Sequence, residues 1–226
     1  MKNICIIPAR GGSKRIPKKN IIDFHGKPLI AHTIEAAVNS KLFGKHIYIS
    51  SDLDEILDVA DNYSQVQKLK RPDEISGDRA SLEDATLHLL ESVGKDFDYL
   101  CMLMPSCPLR NAEDVKKSYK ILLEKKGDFL MSVIDYYWLY PFWAMREKKE
   151  NIKMFFGKKY LIDSKKLPKN IYCPSGAVRW VRVENFKKER KYYGKNILKY
   201  EIPFERGADI DSFEDLELAK KLYKLL

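Results

Sequence analysis

The sequence predicts an α/β fold of three layers, a mostly parallel sheet with helices on both faces. Short apolar runs of strand length alternate with longer segments of helical period. A basic, glycine-containing loop directly follows the first of those runs, and parallel sheets bind ligands at that position, beyond the carboxyl ends of their strands. A chain of 226 residues, 45% of them hydrophobic, buries roughly 70% or more of its unfolded surface. We therefore expect one domain over residues 1–226, with an excursion at 135–172.

Asn3 to Pro8 (NICIIP) has the unbroken apolar character of a buried strand and ends at a loop. From Lys27 to Val38, Leu29, Ile30, Thr33, Ile34 and Ala37 recur at helical spacing. Pro28 suits a first helical turn, where no amide donor is needed. His46 to Ser50 reads as a second strand, Asp52 to Asp61 as a short helix and Gln65 to Leu69 as a third strand. Ser81 to Ser92 has helical period, Tyr99 to Met104 (YLCMLM) is a strand, Ala112 to Lys125 a helix and Phe129 to Ile134 a strand. The alternation then breaks. Asp135 to Tyr172 opens with Tyr136, Tyr137, Trp138, Tyr140, Phe142 and Trp143 and continues as basic, polar sequence without a clean period. Ala177 to Val183 resumes as a strand and Ile197 to Ile202 is another. Ser212 to Leu226 closes as an amphipathic helix, with Ser212 as N-cap and Asp215 three residues on.

The apolar content excludes a disordered chain, and 11 Gly with 10 Pro exclude a fibrous one. No apolar run approaches the roughly 18 residues of a membrane span. Met1 to Ala9 is too short for the apolar core of an export signal before Arg10 interrupts it. The expectation is a cytoplasmic protein with no membrane partner. Cys5, Cys101, Cys107 and Cys173 are scattered without a CxxC pair, so we expect reduced thiols rather than disulfides or a zinc site. The formal charge of +9 leaves nucleic acid, a membrane surface or a small polyanion such as a nucleotide as partner classes.

The chemistry concentrates after the first strand. Arg10-Gly11-Gly12-Ser13-Lys14-Arg15-Ile16-Pro17-Lys18-Lys19-Asn20 joins two glycines, which let backbone amides approach an anion, to five basic side chains. It is neither GxGxxG nor GxxxxGK[ST], so neither the dinucleotide nor the P-loop pattern applies; a solvated basic loop is the plain alternative. Near the other end, Asp209-Ile210-Asp211 places two carboxylates on one side if the backbone is extended. Such a pair suits Mg²⁺, which takes few carboxylates together with substrate oxygens. Equally, both acids favour the N-terminus of the helix that follows. The aromatic run from Tyr136 to Trp143 reads as an interface between copies of the chain, as a sugar-stacking wall or as a nucleic-acid stacking platform.

IPARGGSKRIPKKNI, from Ile7 to Ile21, closely resembles the N-terminal signature of the acylneuraminate cytidylyltransferases, the CMP-sialic acid synthetases. Three further stretches are similar in the same order: Arg71-Pro72-Asp73-Glu74 with Asp78 and Ala80-Ser81, then Met104-Pro105-Ser106-Cys107-Pro108-Leu109-Arg110, then Asp209-Ile210-Asp211. The resemblance covers nearly the whole chain and is weakest from Asp135 to Tyr172. It implies a Rossmann-like nucleotidyltransferase fold and Mg²⁺-dependent transfer of CMP from CTP to the anomeric hydroxyl of a nonulosonic acid, with release of pyrophosphate. It further implies a homodimer in which the 135–172 segment is an arm that reaches the partner and helps complete its site. By the same resemblance, Arg10 and Lys19 hold the triphosphate and serve catalysis with Asp209 and Asp211, the metal-binding pair. Ala9, Gly11, Gly12 and Ser13 complete the nucleotide loop, Asn20 meets the ribose, and Arg71, Ala80 and Ser81 take the cytidine end. Met104, Lys165 and Ser175 fall on the sugar side.

The departures also lie on the sugar side. Met104 stands where the family usually has glutamine, Leu82 where several members carry a second serine, and Tyr172-Cys173-Pro174-Ser175-Gly176-Ala177 lacks the arginine and asparagine of the family's RPNGA. A more apolar pocket suits an acceptor with fewer hydroxyls or additional acyl groups, of the legionaminic or pseudaminic type. Two other readings stand beside this one. The first is a cytidylyltransferase for another sugar acid or a sugar phosphate, although eight-carbon sugar acid enzymes typically have Pro-Gly-Lys where this chain has Pro17-Lys18-Lys19. The second is a basic nucleic-acid-binding module, but the positive residues form no stripe and no RNA-binding motif is visible.

Overall fold

In β1 (Asn3–Pro8), Cys5 and Ile7 face one side of the sheet, Ile4 and Ile6 face the other, and all four are fully buried. A strand apolar on both faces has to lie inside a covered sheet. The structure, a computed structural model, describes residues 1–226 and gives β1 that position. After β1 come β2 (Asp23–Phe24), β3 (Lys27–Pro28), α1 (Leu29–Ser40), β4 (Ile47–Ser51), α2 (Asp54–Leu57), β5 (Val66–Lys70), α3 (Leu82–Val93), β6 (Tyr99–Met102) and α4 (Ala112–Glu124). The second half holds β7 (Phe129–Asp135), β8 (Met145–Lys148), β9 (Asn151–Met154), β10 (Tyr172–Arg182), α5 (Val183–Glu189), β11 (Ile197–Glu201) and α6 (Phe213–Tyr223).

Seven strands form one sheet in the order β11-β7-β10-β6-β1-β4-β5. β1 runs parallel to β4 and β6, β4 to β5, and β7 to β11; β10 alone is antiparallel to both of its neighbours. The mostly parallel prediction therefore holds. Ile30 and Ile34 of α1, Ile56 of α2 and Val115 and Leu122 of α4 pack on one face with Cys5, Ile7 and Trp180. Ala85 and Leu89 of α3 and Phe186 of α5 pack on the other with Ile4, Ile6 and Leu100. A third, smaller core joins Ile16 of the basic loop, Phe24 and Leu29 to Ile210, Leu216 and Ala219 around α6. No helix is long and apolar enough to cross a membrane.

Several boundaries differ from the sequence prediction. Pro28 is the N-cap of α1 rather than a first-turn residue, because it also pairs with Asp23 in a two-residue ribbon turned by His25 and Gly26, both at positive φ. The predicted helix at Asp52 to Asp61 divides into α2 and a 3-10 turn, Asp58–Asn62. β10 begins at Tyr172, five residues before the prediction, with an irregular register between Pro174 and Arg179. That irregularity hides the period of two. The excursion accordingly lies between β7 and β10, and its only regular pairing is the exposed β8–β9 hairpin. α5 was not predicted; Val183 and Phe186 are its only buried residues.

Capping boxes start α3 (Ser81 with Asp84), α4 (Asn111 with Asp114) and α6 (Ser212 with Asp215), the last as predicted. Asp114 does more than cap. Its side chain is 1% exposed, accepts from Arg206 Nε and Nη2 at 2.9 Å each, and takes the Tyr200 hydroxyl at 2.7 Å. This ties α4 to β11 and to the segment leading into α6. Asp114→Ala leaves Arg206 and Tyr200 without that acceptor, and we expect a loss of about 3–5 kcal/mol in urea unfolding, the cost of breaking a buried pair from one side. A loss below about 1 kcal/mol, within the range of exposed pairs, contradicts this account.

Candidate functional site

The site forms where β1, β4 and β6 end. Pro8 at the end of β1 and Met104, Pro105 and Ser106 beyond β6 line a cleft of about 560 Å³. The basic loop walls one side and the Arg71 to Leu82 segment, which leads into α3, walls the other.

Five cations within ten residues repel one another, and the fold answers with carboxylates from distant segments. Arg10 and Lys14 meet Asp78 at 3.5 and 2.5 Å. Arg15 and Lys19 meet Asp211 at 2.9 and 3.1 Å, and Lys18 meets Glu55 at 2.6 Å. Lys19 is the most enclosed of the five, with its side chain 16% exposed. A 3-10 turn at Lys19–Ile21, entered through Lys18 at φ 51°, aims it inward. There its Nζ also donates to the Ile210 carbonyl at 2.7 Å. Asn20 Nδ2 donates to the Arg10 carbonyl at 2.9 Å and so closes the loop into a ring.

The glycines act differently from the expected anion nest. The Gly11 amide donates to Asp52 Oδ1 at 2.8 Å and is committed there. A Cβ at Gly11 would stand 2.9 Å from Leu53 Cβ, so this position needs glycine for the close approach of the loop after β4. Gly12 is exposed, with open space around it. Arg71 is buried, and it donates from Nε to Ser50 Oγ at 3.1 Å and from Nη2 to the Ser50 carbonyl at 2.8 Å. Burial lowers its pKa, Asp52 opposes that, and Arg10 adds to it.

Arg110 was quoted in a motif but given no role by the sequence. Its guanidinium is enclosed and reaches three elements: the Ala177 carbonyl of β10 at 2.7 Å, Thr33 Oγ1 of α1 at 3.0 Å and the Met104 carbonyl at 2.6 Å. It thereby sets the backbone at the floor of the cleft. The readable signal was a lone arginine at the end of an otherwise apolar stretch.

Of the predicted site residues, Arg10, Ser13, Lys19, Asn20, Arg71, Ala80, Ser81, Met104 and Asp211 line the cleft together. Ala9 is buried beneath the loop. Ser175 is buried, its Oγ accepting from the Ala177 amide at 3.2 Å. Lys165 stands exposed in the Ser164–Lys166 turn, and the structure does not bring it to the cleft. Lys14, Arg15, Asp78, Leu82, Pro105 and Ser106 line it without having been assigned.

Asp209 and Asp211 flank Ile210, which is fully buried and whose amide donates to the Ser106 carbonyl at 2.8 Å. Asp209 is exposed and Asp211 partly so. This fits the expected alternation, with both acids turned away from the core side. Burial pushes the Cys107 thiol up to about 12, with Asp209 adding to it; Asp211 lines the cleft and Asp209 does not. No three His, Cys, Asp or Glu side chains converge on a point that could hold a metal. Asp211 in the cleft lining and the neighbouring exposed Asp209, together with ligand oxygens, would make up a donor set that suits Mg²⁺.

A cleft at the carboxyl end of a parallel sheet, walled by cationic side chains, defines an α/β protein that handles a small polyanion. Residues 4–153 match the Cytidylyltransferase family, and the chain belongs to it; the protein is a nucleotidyltransferase. It is 38% identical over 230 residues to a pseudaminic acid cytidylyltransferase of Campylobacter jejuni, an alignment that covers 100% of this chain and 97% of that one. It is 29% identical to an N-acylneuraminate cytidylyltransferase of Escherichia coli, covering 96% of this chain and 51% of that one. Among solved structures, CMP:2-keto-3-deoxy-manno-octonic acid synthetase complexed with CTP superposes with a TM-score of 0.69 at 17% identity, over 100% of this chain and 99% of that one, a likeness of fold.

The ion pairs give a pH prediction. Burial raises the pKa of the Asp211 carboxyl, but the hydrogen bond and charge of Lys19, together with Arg15, outweigh it and hold the group below the usual carboxylate range. A depressed native pKa adds stability above the unfolded value, and that stability is lost as pH falls through the native one. We expect wild type to exceed Asp211→Asn in thermal stability above about pH 5. The difference should shrink steadily toward pH 3. A difference that grows on acidification contradicts the pairing.

Proposed function

We propose that this cytidylyltransferase transfers CMP from CTP to the anomeric hydroxyl of a nonulosonic acid of the pseudaminic type. The observation that carries the reading is the convergence of distant motifs. Arg10 and Lys19, assigned to the triphosphate, share one cleft with Arg71 and Ser81, assigned to the cytidine end, and with Met104, assigned to the sugar. The acceptor class rests on the full-length similarity to the pseudaminic acid enzyme and on the apolar side chains of Met104 and Leu82 in the cleft lining.

In this reading the acceptor hydroxyl oxygen bonds to the α-phosphorus as the bond to the bridging oxygen of the β-phosphate breaks. Pyrophosphate departs and the hydroxyl proton passes to solvent. Arg10 and Lys19 exchange the carboxylates of Asp78 and Asp211 for phosphate oxygens, so the cations stand oriented before the nucleotide arrives. Mg²⁺, held by Asp209 and Asp211, supplies charge neutralisation at the phosphates when bound. Arg110 keeps the Met104 backbone in place beneath the reacting centre. We place the enzyme in the cytoplasm, where its four free thiols stay reduced.

Pyrophosphate release with CTP and Mg²⁺ tests the reading across pseudaminic, legionaminic and N-acetylneuraminic acids. We expect the first two to give at least about tenfold higher kcat/KM than the third, about 1.4 kcal/mol; equal or better turnover of N-acetylneuraminate overturns the acceptor class. Arg10→Ala and Lys19→Ala should each lower kcat/KM for CTP by about 100-fold or more, in the range of a lost charge-stabilising donor.

We further propose that the protein is a homodimer joined through the excursion and that 1–226 acts as a single domain. Trp138 and Ile152 are 71% and 67% exposed, with Leu139, Phe155 and Leu161 also exposed on the same segment. So much large apolar surface on one arm marks an interaction site. Sedimentation velocity should show a dimer for wild type and a monomer for Trp138→Glu combined with Ile152→Glu; a monomeric wild type at micromolar concentration rejects the interface.

A further inference from the structure

Arg179 pairs across the sheet with Met102 at the end of β6 and with Met131 of β7. Val178 and Trp180 on either side of it enter the core beneath α1 and α4. Alternation therefore turns Arg179, with Val181, to the opposite face, toward α3 and Tyr192. It is half-buried. Its Nε is fully enclosed and has no acceptor, and its guanidinium joins no ion pair.

Other enclosed arginines in the same fold hold several partners, although Arg110 leaves its Nη1 without one. Arg110 fills three acceptors, Arg182 pairs with Asp128 at 2.8 Å, and Arg206 pairs with Asp114 at 2.9 Å. An enclosed donor without a partner opposes folding. Keeping one here is explained by an acceptor group that comes from outside the chain.

The position is next to the cleft. Met104, which lines the cleft, packs so tightly on β10 that a Cβ on Gly176 would meet its Cγ at 3.2 Å. Leu82, on the opposite side of the same lining, packs against the core to which Met102 and Tyr192 belong. Burial raises both Cys107 and Tyr192, and the charge of Arg179 opposes it at each. Glu83, the carboxylate on that side, also acts on Tyr192 but forms no ion pair with Arg179.

We infer that Arg179 binds the carboxylate of the acceptor sugar acid, an inference that rests on the nonulosonate reading above. In a 2-keto sugar acid the carboxylate is attached to the anomeric carbon, so a group that holds it also orients the attacking hydroxyl. The loop cations are assigned to the triphosphate, and Lys165 stands exposed away from the cleft. Arg110, also beside Met104, is committed to three backbone and hydroxyl acceptors, whereas Arg179 joins no ion pair and has an enclosed Nε without an acceptor. A guanidinium also offers the planar two-donor geometry that a carboxylate accepts.

Arg179→Met and Arg179→Lys test this by steady-state pyrophosphate release, with the acceptor acid and, separately, its carboxamide as substrate. Arg179→Met keeps the apolar stem, and its thermal stability is to be compared with wild type. We expect its KM for the acid to rise at least 30-fold, with KM for CTP changed less than threefold. Arg179→Lys should recover part of the loss. Wild type should discriminate acid from carboxamide by at least 30-fold, and Arg179→Met should lose most of that discrimination. Undiminished discrimination in a folded Arg179→Met, or an equal rise in both KM values, overturns the assignment. If wild type turns over no nonulosonic acid with CTP, the proposed function itself fails, a result distinct from an active wild type whose variant is unaffected.

Discussion

Five positive side chains on one ten-residue loop are the constraint around which this site is organised. Left alone, Arg10, Lys14, Arg15, Lys18 and Lys19 would spread the loop into solvent. Asp78, Asp211 and Glu55 prevent this from three separate parts of the chain. Exposed pairs of this kind contribute little to stability one at a time. Their effect here is geometric, because Asp78 and Asp211 pin four of the cations in the lining of the same cleft while Glu55 holds Lys18 outside it. Lys19 is held most firmly, through the Ile210 carbonyl as well as Asp211.

That linkage spans the chain and needs the small third core to persist. Ile16 from the loop and Ile210 from the acidic segment are buried together with α6 residues Leu216 and Ala219. The Ile210 amide is bonded in turn to Ser106, beyond β6. The cleft is thus assembled from three loops, each seated on apolar side chains that have no chemistry of their own. Arg110 performs the matching task on the floor, drawing α1, β10 and the Met104 backbone onto one buried guanidinium.

The two halves of the cleft differ in character. The wall that we propose holds the nucleotide is polar and ion-paired. The wall that we propose meets the acceptor has Met104 and Leu82 in its lining, a buried Ser175 whose oxygen accepts from the Ala177 amide, and an arginine on β10 whose Nε has no partner.

Much was determined by sequence alone. Both-faced apolar strands at Asn3–Pro8 and Tyr99–Met102 require a covered parallel sheet, and the interval between them is long enough for crossover helices. The basic loop and the late acids were legible because their charged residues sit in short contiguous stretches, whereas the Arg71 segment was legible only through its resemblance to a family motif. Tertiary structure decided the rest, for reasons of distance and direction. No local pattern shows that Asp78 and Asp211 neutralise the loop, that the Gly11 amide is spent on Asp52, or that Lys165 stands clear of the cleft. Strand β10 escaped in part because its irregular register between Pro174 and Arg179 interrupts the period of two. Arg179 escaped because an arginine in an alternating strand reads as solvent-facing. Only the packing of α3 and Tyr192 above it shows a charge half-enclosed and unpaired at the edge of the site.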